Sequence, residues 1–83
     1  MRTYKLQLFN HARPKSRLAK VEDILAMDDK GAIANALDRF DTLLRAQRPD
    51  KPKLERFKLL SDGLATIAEV TAKERLRQLK GRR

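Results

Sequence analysis

The residues able to do chemistry in this chain are its cations, and the chemistry they suit is the binding of anions. Twenty lysines and arginines stand against eleven aspartates and glutamates, a net charge of +9 on 83 residues. Arg2, Lys5, Arg13, Lys15, Arg17 and Lys20 make residues 1–20 a block of +6 without one acid. Lys73, Arg75, Arg77, Lys80, Arg82 and Arg83 against Glu74 make residues 73–83 a block of +5. Residues 47–60 return +3, whereas 21–46 carry −3 and 61–72 carry −2. A helix C-terminus is satisfied by one or two positive side chains, so six cations within eleven residues point to phosphate contacts.

Other chemistries lack their parts. His11 is the only histidine, there is no cysteine, and no carboxylate near His11 in sequence could orient it as a base. Gly31, Gly63 and Gly81 lie too far apart to cradle a phosphate. No catalytic residue, metal ligand or cofactor is therefore expected, and the chain does not read as an enzyme. Phe40 and Phe57 fall on apolar stripes and belong to a core rather than to a base-stacking platform.

The elements that would carry the cations read as mainly α, in a single small domain over 1–83. Residues 2–10 alternate, with Tyr4, Leu6 and Leu8 on one side and Thr3, Lys5 and Gln7 on the other, as in a half-buried strand. That stretch, with His11 to Lys15 behind it, forms a basic strand or arm over 1–15. A first helical turn, an untethered arm or a transit sequence would also fit a basic, acid-free beginning. The strand would need a partner, and the economical one is the same strand of a second copy or an edge on another protein. From Ser16 onward Leu18, Val21 and Leu25, then Ile33, Leu37, Phe40 and Leu44, recur at helical spacing. A helical hairpin over 16–47 follows, its first helix ending near Met27 and its second running from about Lys30 to Gln47. Asp28 and Asp29 offer the N-cap, and a single helix through Gly31 is the alternative.

Pro49 and Pro52 mark the next boundary. Leu54, Phe57, Leu60, Leu64, Ala68, Ala72, Leu76 and Leu79 then predict a long basic C-terminal helix over 50–80, kinked or broken at Ser61-Asp62-Gly63, with 81–83 as a basic tail. A helix-turn-helix at Gly31 would present Asn35, Asp38, Arg39, Asp41 and Thr42 to DNA, the wrong sign for a groove.

A short alternating strand followed by two amphipathic helices resembles the ribbon-helix-helix DNA-binding regulators over residues 2–47. The resemblance implies a dimer whose paired strands place Thr3, Lys5 and Gln7 against bases, with Tyr4, Leu6 and Leu8 toward the dimer core. Lys can donate to guanine and Gln can pair with adenine.

Two functions remain as expectations. The first is a small DNA-binding regulator or accessory factor, with DNA ahead of RNA as its ligand. It grips phosphates through Arg2, Lys5, Gln7, Arg13, Lys15, Arg17, Lys73, Arg75, Arg77, Lys80, Arg82 and Arg83. The second is a helical adaptor or inhibitor docked on a larger protein or ribonucleoprotein. No apolar run is long enough to span a membrane, and the absence of cysteine fits a cytoplasmic setting.

Overall fold

The computed structural model describes residues 1–12, 15–48, 50 and 53–81, with side chains as far as residue 78. The fold is four antiparallel strands in one sheet with two helices, which corrects the mainly α expectation. In chain order the elements are β1 (Arg2–Asn10), β2 (Arg17–Ala26), α1 (Asp29–Arg45), β3 (Leu54–Leu60), β4 (Thr66–Thr71) and α2 (Ala72–Gly81). The sheet order is β2-β1-β3-β4, so β1 lies inside and β2 and β4 form the edges. The alternation read in residues 2–10 is real. Its partners, however, are β2 and β3 of the same chain, not the same strand of a second copy.

The helical spacing in residues 18–21 and 54–57 arises from β-bulges. Leu8 pairs with Lys20 but Phe9 pairs with Leu18, leaving Ala19 as an extra residue. Leu18 and Val21, three apart, therefore emerge on one face of the sheet, imitating the spacing of a helix. The predicted first helix of the hairpin is thus β2. A second bulge, at Glu55, brings Leu54 and Phe57 to one face, and a third, at Ile67, shifts β4 against β3. The predicted long helix over 50–80 is consequently a β-hairpin followed by the ten-residue α2. Ser61-Asp62-Gly63-Leu64 is its turn, closed by the Leu64 amide donating to the Ser61 carbonyl at 2.8 Å and the Ser61 amide to the Ala65 carbonyl at 2.8 Å.

The predicted second helix of the hairpin forms as α1. Its N-cap is Asp28, whose carboxylate accepts the Gly31 amide at 2.8 Å. The core lies between α1 and one sheet face: Ala32, Ala36 and Phe40 of the helix pack on Tyr4, Leu6 and Leu8 of β1, Ile24 and Ala26 of β2, and Phe57 and Leu59 of β3. Phe40 and Phe57 meet edge to face with centroids 4.8 Å apart. Helix α2 lies against β3 and β4 and is tied to α1 by Arg75, which grips the buried Asp41 carboxylate through two 2.7 Å hydrogen bonds.

The opposite sheet face has no helix over it among the described residues. Cross-strand pairing assigns to it Thr3, Lys5, Gln7 and Phe9 of β1, Leu18, Val21, Asp23 and Leu25 of β2, and Arg56, Lys58 and Leu60 of β3. No helix among the described residues is long and apolar enough to cross a membrane.

A candidate polyanion-binding end of the sheet

The antiparallel register sets two ends apart. Asn10 at the end of β1 pairs with Arg17 at the start of β2 and with Leu54 at the start of β3, and β4 ends beside Arg56. The β1–β2 connection, the α1–β3 connection and the start of α2 therefore share one end of the sheet. The C-terminal end of α1 joins them, since Gln47 accepts the Leu54 amide at 2.6 Å and lines an open hollow with Leu8, Asn10, Leu43 and Leu54. His11, Lys53, Leu54, Glu55, Thr71, Ala72 and Lys73 surround a second hollow, and Asn10, His11, Ala12, Arg17, Leu18 and Ala19 a third beside it.

The cations gathered there are Lys15, Arg17, Arg45, Arg48, Lys53 and Lys73, all exposed. Asp50, Glu55 and Glu74 lie in the same segments. Glu55 is engaged by His11, with Nδ1 and Oε2 2.9 Å apart, and Glu74 by Thr71, whose hydroxyl donates to the Glu74 carboxylate and accepts its amide at 3.1 Å. None of these six cations forms an ion pair with a described carboxylate. The other end of the sheet carries Asp28, Asp29 and Asp62 with Arg2 and Lys30, and Arg2, Tyr4, Asp29, Ser61, Asp62 and Gly63 line a hollow there. The molecule is electrically lopsided along its strands.

The residues expected to bind phosphate are thus divided by the fold. Lys15, Arg17 and Lys73 come together at the basic end, while Arg2 sits at the acidic one. Lys5 and Gln7 lie on the open face, Lys5 bonded to Asp23 across the β1–β2 pair and Gln7 opposite Lys58. Arg75 is taken by Asp41 and by Gln78 at 3.2 Å, and Arg77 is exposed on α2. Arg13, Arg82 and Arg83, and the side chain of Lys80, lie outside the described residues. Arg45, Arg48 and Lys53 were not among the expected site residues, although the +3 of residues 47–60 was a signal that a third basic segment existed.

Ion pairs elsewhere are structural. Arg39 forks onto Glu22 through two 2.9 Å bonds and Lys20 adds a third at 2.9 Å, joining α1 to β2. Hydrogen bonding from Arg39 holds the Glu22 carboxyl down at about 2. Asp41 is likewise held below the usual carboxylate range by its bonds from Arg75, against the opposing effect of burial. Burial, and then the 2.8 Å bond to Asp29, push the Tyr4 phenol upward. Arg56 stacks on Phe9 with its guanidinium carbon 4.1 Å from the ring centroid, and it also reaches Ser16 and Glu69. Among the described residues no cluster of three or more acidic or histidine side chains could hold a metal ion.

Among the described residues the fold is one four-stranded antiparallel sheet with α1 over a single face, and the candidate site is a basic end built from the β1–β2 connection, the α1–β3 connection and the start of α2. Compared with family models, curated proteins and solved structures, the chain matches none.

Proposed function

We propose that the protein binds a polyanion, nucleic acid, through the basic end of its sheet. The observation that carries this reading is the meeting of Lys15, Arg17, Arg45, Arg48, Lys53 and Lys73 at one end while Asp28, Asp29 and Asp62 lie at the other. Exposed cations on connections (Lys15, Arg48, Lys53) and at element ends (Arg17, Arg45, Lys73) are suited to phosphates, which need charge at a surface rather than a pocket. Segregated charge also orients an approaching polyanion, because the basic end attracts it while the far end, where Arg2 and Lys30 nearly balance Asp28, Asp29 and Asp62, does not. The proposed role is a phosphate grip, with no assignment of a base-reading residue.

The test is titration of labelled duplex and single-stranded oligonucleotides by fluorescence anisotropy at several salt concentrations. Replacing Arg17, Arg45, Arg48, Lys53 and Lys73 together by alanine is expected to weaken binding at least 100-fold at low salt. Replacing Arg2 and Lys30 at the acidic end, a control for net charge, is expected to change it less than threefold. Absence of binding at 50 mM salt, or a loss that follows total charge regardless of position, removes the assignment.

A further inference from the structure

We infer that β2 is a self-association edge, pairing antiparallel with β2 of a second copy about a two-fold axis at Val21. This goes beyond polyanion binding and does not depend on it. β2 is the longer of the two edge strands, ten residues against six in β4, and its outer row of backbone groups has no strand beside it among the described residues. β4 is different, since it runs directly into α2. Leu18, Val21 and Leu25, 47%, 47% and 58% exposed, all stand on the open face of β2. Asp23, bonded to Lys5, stands between Val21 and Leu25 on that face, so Val21 beside Leu18 is the apolar centre that a strand docking on this unpaired backbone edge would cover.

The charges of β2 fit a second copy as the occupant and discriminate between registers centred on Val21, Glu22 and Asp23. A two-fold axis normal to the sheet keeps side chains of the two copies on common faces, so the axis must pass through one residue of the strand. An axis at Asp23 would set Val21 opposite Leu25 but would also press Asp23 against its own copy. An axis at Glu22 would oppose two glutamates. With the axis at Val21, the two valines meet on the open face and Lys20 of each copy lies opposite Glu22 of the other. Like charges directly opposed are destabilising and unlike ones favourable, so of these three registers the last alone is complementary to itself. Lys20 is 61% exposed at its side chain and within 2.9 Å of its own Glu22, whose 17% exposed carboxylate is fixed by Arg39, so in the dimer it is Lys20 that turns toward the partner copy. The bulge at Ala19 adds twist at one end of the edge and limits pairing to its central residues. Eight strands in a continuous sheet are the result.

The chain contains no cysteine, so single cysteines introduced into the full protein report proximity without background. Sedimentation over a range of concentrations is expected to show a reversible dimer. Val21→Cys is expected to cross-link under mild oxidation at least tenfold faster than Leu64→Cys, which is exposed on the far turn. Lys20→Glu, at an exposed position, is expected to shift dissociation at least tenfold toward monomer, with the circular dichroism spectrum of the fold retained. A protein monomeric at every concentration up to the millimolar range overturns the proposal. Equal cross-linking at residues 21 and 64 does the same, as does a dimer indifferent to Lys20→Glu.

Discussion

Individual residues in this protein divide into cations that are used up by the fold and cations that are left over. Arg75 belongs to the first kind: Asp41 is only 6% exposed, and both its carboxylate oxygens are satisfied by that one guanidinium. Arg75→Ala would strand a buried carboxylate and release α2, at an expected cost of about 2–3 kcal/mol in urea denaturation. Arg75→Lys recovers only part of this, since an ammonium cannot span both oxygens. Glu22 belongs to the same structural class, and its depressed pKa has a consequence for pH. A carboxyl that titrates near 2 in the folded chain and near 4.5 in the unfolded one binds fewer protons when folded between those values. Its stabilising contribution is therefore complete above about pH 5 and is lost as the pH falls toward 2. Asp41, lowered by Arg75, acts in the same direction. Because the Arg39 and Lys20 side chains are 42% and 61% exposed, Glu22→Gln is expected to cost only about 1 kcal/mol at pH 7. The difference from the unaltered protein should vanish near pH 2, which denaturation at a series of pH values would measure.

At the scale of elements, bulges and one turn determine how the strands meet. The β3–β4 turn places Leu64 at φ 63°, in the left-handed region, although Gly63 beside it is not there. A leucine in that conformation costs about 1–2 kcal/mol, and its side chain, 67% exposed, gains little in return. Leu64→Gly relieves the strain and adds about 0.5–1 kcal/mol of chain entropy to be lost on folding. A net gain of about 0.5 kcal/mol is expected, read as a rise in melting temperature of roughly 2–4 °C. Leu64→Ala keeps the strained backbone and should give no such rise. A bulge gives β2 the periodicity of a helix. Its inward residues Glu22, Ile24 and Ala26 alternate properly with Val21, Asp23 and Leu25, but the extra residue Ala19 puts Leu18 in step with Val21.

For the whole molecule, the relevant quantity is the distribution of charge along the strands rather than its total. If six phosphates are engaged by the basic end, duplex binding should weaken about 10³-fold between 50 and 200 mM salt. The five-residue alanine variant should show a correspondingly shallower salt slope, whereas a protein binding through diffuse excess charge would keep its slope when the basic end alone is altered. Self-association through β2 would set two such ends on opposite sides of a continuous sheet, so that dimer formation and polyanion binding can be measured separately.

Local features of the sequence were sufficient for some of this. The alternation of Tyr4, Leu6 and Leu8 gave a strand with its faces correctly assigned, and Asp28 followed by the stripe to Leu44 gave α1 with its cap, because both depend on contacts between near neighbours. The three basic segments were also visible as runs of charge. The sequence could not show that residues 16–27 form a strand, since a bulged strand with apolar residues three apart has the same pattern as a helix, and only pairing with β1 distinguishes them. Nor could it show which cations share a surface. Arg17, Arg48 and Lys73 are up to 56 positions apart, and it is the antiparallel register that brings their segments to one end, while the approach of α2 to α1 commits Arg75 to Asp41. The composition set the net charge of +9; the hydrogen-bonded order of four strands decided where on the molecule those charges sit.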